Sequence, residues 1–330
     1  MKTRALGQSV GLVNAGNNIT NKIPIPEVAK EFIRAEKSDN TRRSYASDVR
    51  ILADWCRDRG YQPFRLAAGQ LAEFLASQAS SDVKAMTIVR RVAAVRHAYR
   101  VLELPDPFDQ AARSTLAGIR NKLGTAVEPS APLLAVDLLK IIDAIPYAGT
   151  NQARDFRDRA LLLLGFAGAL RRSELVALDV DDLQFCPEGL RLTIRRSKTD
   201  QAGQSAVIAV PYGSKSPRTC PVVAVTRWLR FAHIISGAVF LAVQGRQELG
   251  ERLAGSAIGQ ILKRRVEGAG LPANTYSAHS LRSGFLTSSA EAGASIWSMM
   301  DTSRHRSVET LRSYVRSAKL FSDYAGKGLL

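Results

Sequence analysis

Apolar residues recur at helical spacing along most of this chain and change to strict alternation once. That change of period restricts the fold more than any other feature. Tyr45, Val49, Leu52 and Cys56 repeat at spacings of four, three and four, which gives one buried helical stripe. Ser38, Asp39 and Asn40 offer N-caps for that helix and Gly60 a stop. Ile88, Val92, Val95, Tyr99 and Leu102 mark a second long helix closed by Pro105 and Pro107, and Phe108, Ala112, Leu116 and Ile119 mark another. Four or five helices and no strand are predicted between Glu27 and Leu123. Helices are also predicted at Val136–Ile145 and Arg157–Leu170. Then Leu190, Leu192 and Ile194 alternate with Arg191, Thr193 and Arg195, and Ala206, Ile208 and Val210 alternate after a turn containing Asp200 and Gly203. This is the pattern of a β-hairpin, with Lys198 near its tip. Helices are predicted again from about Cys220 to the end.

The stretch Gly124–Pro132 (GTAVEPSAP) has the composition of a linker, and residues up to Pro26 that of a polar tail. The expected organisation is a tail over 1–26, a helical domain over 27–123, a linker over 124–132 and a second domain over 133–330. The fold class is mainly α with a small antiparallel β-sheet, a helical bundle followed by an α+β domain.

A formal net charge of +16 and a pI near 10.2 favour a polyanionic partner. The apolar run Ala160–Leu170 lies between Arg159 and Arg171, far short of the ~20 residues of a membrane span, and reads as a buried helix. The N-terminus shows no signal-peptide core. Cys56, Cys186 and Cys220 form no metal-type pair and read as reduced apolar fillers, so a cytoplasmic protein is expected.

The chemistry concentrates late in the chain. Arginine grips two non-bridging phosphate oxygens through its planar fork, and two arginines from different elements can stabilise the charge that develops when a phosphodiester is attacked. Arg171 and Arg282 are the candidates; Arg282 follows His279 by three residues, which places both on one side of a helix. With 46 basic residues in the chain, neither arginine alone carries weight. A sugar oxygen leaves poorly unless protonated, and Lys198, in the segment RRSKTD, is the candidate donor, read alternatively as a solvated turn lysine. His279 and His305 could hydrogen-bond the phosphate or help deprotonate Tyr314, which follows His305 by nine residues. A zinc site at these histidines lacks a Cys, Asp or Glu partner at ligand spacing, so no metal is expected. His97 and His233 read as structural residues in helical stretches. Tyr314 is the candidate nucleophile, and a tyrosine needs a neighbouring base and positive charge to act as one. Glu174 could orient Arg171 one helical turn away, or simply pair with it on the surface.

Taken together these segments resemble the tyrosine recombinases, the phage-integrase family of Cre- and Xer-like site-specific recombinases. GALRRSELVALDVDDL resembles the first arginine box, with Arg171 and Glu174 in place; HSLRSGF the second, with His279 and Arg282; RHRSVETLRSYVR the last, with His305 and Tyr314; and RRSKTD sets Lys198 at the hairpin lysine. SDNTRRSYASDVRILADWC looks like the family's core-binding helix. The resemblance covers about residues 27–318. One departure is Arg304, where the family usually has glycine; it is expected to alter the local turn or to add a phosphate contact.

The resemblance implies DNA cleavage and rejoining through a 3′-phosphotyrosine, with no cofactor, in integration, excision or resolution. Family members work as DNA-bound tetramers, two domains clamping the duplex, with accessory proteins or a second recombinase in some systems. The expected partner is double-stranded DNA with short inverted core sites, the expected assembly a homotetramer. Thr41, Arg42, Arg43, Arg50, Lys84, Arg90 and Arg91 are the candidate DNA contacts, Arg43, Arg50 and Arg57 recurring every seven residues. Leu320, Phe321 and Tyr324 are candidates for docking on a neighbouring subunit. The rivals are a type IB topoisomerase-like nicking-closing enzyme and a catalytically silent DNA-binding accessory protein.

Overall fold

The computed structural model describes residues 36–125, 130–149, 151–195, 205–245 and 247–318. The tail, residues 126–129 of the linker, the hairpin tip with Lys198, Asp200 and Gly203, and Leu320, Phe321 and Tyr324 lie outside these. The chain divides into two compact units, Met1–Val127 and Glu128–Leu330.

The first unit holds α1 (Asp39–Asp58), α2 (Gln70–Ser80), α3 (Ala85–Val101) and α4 (Gln110–Leu123). The predicted stripes face inward, and Leu52, Cys56, Phe74, Leu75, Ile88, Val95 and Tyr99 share one core; Leu102 does not, because the helix ends before it and leaves it exposed. The Ser38 hydroxyl caps α1 by accepting the Thr41 N–H at 3.3 Å. Asp109 caps α4 through the Ala112 N–H at 2.8 Å, and its other oxygen accepts the Gly69 N–H at 2.8 Å, so one carboxylate fixes the start of α4 and the entry to α2. Asp48, 1% exposed, accepts both Arg90 Nε at 2.9 Å and Arg90 Nη2 at 3.0 Å, which ties α3 to α1.

The second unit is built on α6 (Gln152–Ala167), which follows α5 (Ala135–Ala144) and is buried almost all round. The helix begins five residues before the predicted Arg157 because its charged first turns are not surface. Arg157 and Asp158 pair at 2.7 Å, and Arg265 holds Asp155 and Asp158 at 2.7 Å each. Buried charges survive when paired in this way. The helix ends at Ala167 rather than Leu170 because Ala169 turns left-handed, with φ 45°.

After the short α7 (Arg172–Ala177), the strands β1 (Leu183–Cys186), β2 (Gly189–Ile194) and β3 (Ala206–Pro211) form an antiparallel sheet in that order. The β2–β3 register sets Leu190 opposite Val210 and Leu192 opposite Ile208, so the alternating apolar residues fill the core. Then follow α8 (Pro221–Phe231), β4 (Leu241–Gln244), β5 (Glu248–Arg252), α9 (Gly255–Gly268), α10 (Ser280–Glu291), α11 (Ile296–Ser303) and α12 (Val308–Ala318). The β4–β5 hairpin corrects the expectation of helices alone past Cys220; its strands are short, largely exposed and carry no clean alternation. His233 likewise stands not in a helix but just past α8, at φ 52°.

Helix α10 lies against the chain around Leu133 with almost no space between the backbones. The Leu133 N–H donates to Ser280 O at 2.9 Å, and a Cβ at Gly284 would sit 1.8 Å from Leu133 O. Only glycine permits that approach. The three cysteines are free, and among the described residues no helix is long and apolar enough to cross a membrane.

Candidate active site

The site starts where α6 stops. Gly168 N–H bonds Leu164 O at 2.9 Å and Leu170 N–H reaches back to Gly165 O at 3.0 Å, closing the helix through left-handed Ala169. This turn leaves the Ala169 carbonyl unused by the helix and starts α7 with Arg171 as its N-cap. Glu174, 2% exposed, folds back on that cap: its Oε2 accepts the Arg171 backbone N–H at 2.8 Å and its Oε1 the Arg171 Nη1 at 2.7 Å. Arg171 and Glu174 are therefore a half-buried ion pair and not a surface one.

Arg282, in the first turn of α10, is 1% exposed and touches no carboxylate in the described residues. Its Nη1 donates to Ala169 O at 2.6 Å, and its Nη2 to Ser303 O and, at 3.2 Å, to His305 Nε2. Burial, followed by the charge of Arg171, pulls its pKa down to about 10. It still carries its charge at neutral pH, held by carbonyl dipoles.

His305 bonds the Ser303 hydroxyl through Nδ1 at 2.7 Å, while that hydroxyl also reaches Met299 O at 2.6 Å. With the hydroxyl proton given to Met299 O, the network assigns the ring proton to Nδ1 and leaves the Nε2 lone pair facing Arg282. Burial, then Arg282 and Arg171, lower the His305 pKa to about 4, so the ring is neutral at pH 7. Tyr314, on α12, is half-buried against Leu286, Met299 and Leu311. Burial raises its pKa and Arg282 opposes that rise. His279 caps α10 from an exposed position, close enough for its charge to act on His305.

The structure thus gathers Arg171, Glu174, His279, Arg282, His305 and Tyr314 around the end of α6, and Lys198 lies outside the described residues. One contributor escaped the sequence reading, and another was read with a different role. Ser303, which fixes His305, gave no signal. Arg304 gave one, as a non-glycine at a turn position; its side chain points inward, and its Nη2 donates to Glu174 Oε2 at 2.7 Å. No group of three or more His, Cys, Asp or Glu able to hold a metal occurs among the described residues.

The basic residues of the first unit are placed differently. Arg43 and Arg50 are exposed on α1; Arg42 pairs with Asp39, and Arg57 with Asp54 at 2.9 Å. Lys84 is exposed at the N-cap of α3. Arg90 holds Asp48 from a half-exposed position, whereas Arg91 is mostly buried between Asp48 and Gln78.

A cluster of arginines close to a half-buried tyrosine, in a mostly helical unit that follows a helical bundle along the chain, defines an enzyme of DNA strand transfer when set beside known proteins. Residues 133–320 match the model of the phage integrase family and residues 30–104 that of the phage integrase N-terminal SAM-like domain. The chain belongs to the phage integrase family. It is 32% identical over 302 residues to an integrase/recombinase XerD homolog of Selenomonas ruminantium, covering 90% of this chain and 87% of that protein. It is 29% identical over 289 residues to tyrosine recombinase XerD of Corynebacterium glutamicum, covering 84% of this chain and 87% of the relative. These relatives make it an enzyme of site-specific DNA recombination. The fold is shared with XerH recombinase bound to a palindromic difH substrate, at TM-score 0.62 and 16% identity over 87% of this chain and 79% of that one. It is shared also with the Tn1549 transposon integrase in complex with circular intermediate DNA, at TM-score 0.58 and 17% identity over 87% and 92%.

Proposed function

We propose that Tyr314 is the nucleophile of this recombinase and that Arg171 and Arg282 clamp the scissile phosphate. The carrying observation is the charge balance: three guanidiniums, of Arg171, Arg282 and Arg304, surround the single carboxylate of Glu174. The net charge of two left over matches the roughly two negative charges of an attacked phosphodiester in its transition state. Arg282 supplies a large share, because its hydrogen-bond partners are carbonyls and an imidazole and it makes no ion pair among the described residues.

Tyr314 attacks phosphorus, its phenolic proton passing to a neighbouring base, for which His279 and His305 are the candidates. A 3′-phosphotyrosine forms and the 5′-oxygen leaves, protonated by Lys198, which lies between β2 and β3 in the sequence. His279 hydrogen-bonds a phosphate oxygen from its exposed place at the head of α10. A 5′-hydroxyl from a second duplex then attacks the phosphotyrosine, so the ester keeps the bond energy and no nucleotide cofactor enters. Glu174 orients Arg171.

The partner is double-stranded DNA with short inverted core sites, a reading supported by the palindromic difH substrate to which XerH recombinase is bound. Arg43, Arg50 and Lys84 supply exposed phosphate contacts. Thr41 and Arg42, set at the first turn of α1, and Arg90 and Arg91, braced by Asp48, complete the candidate interface. The active assembly is a homotetramer on DNA, joined in some settings by a second recombinase or accessory proteins.

Covalent trapping tests this reading: labelled nicked duplexes tiled from DNA flanking the gene are incubated with protein and run on a denaturing gel. A shifted band that disappears with Tyr314→Phe is expected, and a band that survives would move the nucleophile elsewhere. The phenol makes no hydrogen bond among the described residues, so the variant should melt with the wild type.

A further inference from the structure

We propose that Arg304 is a positioning residue of the active site, which shares Glu174 with Arg171 and locks the first arginine turn to the histidine turn; this rests on the reading of the site given above. Arg304 ends α11 with φ 58° and ψ 40°, a left-handed conformation. For a side chain larger than glycine that backbone is strained. Its guanidinium is buried, which lowers its pKa, and its Nε has no hydrogen-bond partner among the described residues. Strain, desolvation and an orphaned N–H are three costs that a glycine would avoid. An arrangement that keeps all of them points to a constraint met elsewhere.

The contacts show what is gained. Nη2 donates to Glu174 Oε2 at 2.7 Å and lies 3.4 Å from Ala169 O; Nη1 donates to Thr302 O at 2.8 Å and lies 3.4 Å from Gly168 O. One side chain therefore joins the turn that aims Arg171 to the turn that carries Ser303 and His305. Arg282 makes a parallel link between the same two turns, through Ala169 O and Ser303 O. The second consequence is electrostatic. Glu174 Oε2 is held by Arg304 and by the Arg171 backbone, and only Oε1 holds the Arg171 side chain. With Arg304 present, Glu174 orients Arg171 without cancelling its charge; with Arg304 gone, the buried carboxylate has one guanidinium left and draws it inward.

The test uses the full-length protein and the nicked duplex identified by covalent trapping, at saturating DNA and single turnover. Arg304→Gly suits the backbone, so the fold should persist. The expected result is a trapping rate at least tenfold below wild type with duplex affinity within about twofold, as for a contact that acts on the transition state. Arg304→Lys should recover most of the rate and Arg304→Gln should not, at matched melting temperatures. Glu174→Gln should cost less in the Arg304→Gly background than alone, because the two act through one carboxylate. A trapping rate for Arg304→Gly within twofold of wild type would overturn the proposal. So would equal rates for the Lys and Gln variants, which settle the question if the Gly variant does not fold. A band that persists in Tyr314→Phe would instead overturn the site reading on which it rests.

Discussion

Arg90 and Arg282 show how differently the two units of this chain use the same side chain. Arg90, half-exposed in the helical unit, grips the buried carboxylate of Asp48 with two nitrogens, and that bond raises its pKa. Arg282, deep in the second unit, has carbonyl and imidazole partners and no carboxylate among the described residues, and burial lowers its pKa to about 10. In the first case a carboxylate cancels the charge and the pair holds two helices together. In the second the charge is kept whole in a desolvated place, where an incoming phosphate would meet it at low effective dielectric. A buried cation with no directly bonded carboxylate is expensive for the fold.

The contrast breaks most readily at Arg282. Arg282→Ala should slow covalent trapping by about 10²–10³-fold, the usual loss for one preorganised oxyanion donor. Arg90→Ala should leave the chemical step at saturating DNA within about twofold, since it lies outside the site; single-turnover rates of the two variants decide. Glycine sharpens the same comparison. Gly284→Ala drives a methyl group to 1.8 Å from Leu133 O, so backbones must part. A loss of about 3 kcal/mol or more in denaturant unfolding is expected, at the upper end of overpacking costs.

A smaller effect concerns His305. Its pKa is near 4 in the folded chain against an ordinary 6.5, so the unfolded chain takes up the proton first as pH falls. Its contribution to stability is thus present above pH 6.5 and lost as pH falls from there to about 4. His305→Gln should flatten the fall of the urea midpoint across that window. The smallest effect returns to the helical unit: Gly118 sits within α4 with nothing within 4 Å of a would-be Cβ. Gly118→Ala should stabilise by roughly 0.5–1 kcal/mol, seen as a higher melting temperature, because the glycine there serves no close approach.

Much of this architecture was legible in the residues. The stripe Leu52–Cys56, the alternation Leu190–Leu192–Ile194 and the register-mates Ile208 and Val210 all fall where their periods place them. Local period suffices there because each element buries one face. It failed at the start of α6, where Asp155, Arg157 and Asp158 look solvated in sequence and are buried in fact, the two carboxylates met by Arg265 from 110 and 107 residues away. It failed again at β4–β5, too short and too exposed to carry a pattern.

The residues alone determined much of the inventory: the helical bundle, the β2–β3 hairpin, and the presence of Arg171, Glu174, His279, Arg282, His305 and Tyr314 as groups suited to phosphate chemistry. The tertiary structure decided their states. It stripped water from Arg282 and His305, set the His305 proton through Ser303, and turned Arg304 inward onto Glu174. Charge state and tautomer depend on desolvation and on partners brought in from distant segments, and neither is a property of a residue or of its neighbours in sequence.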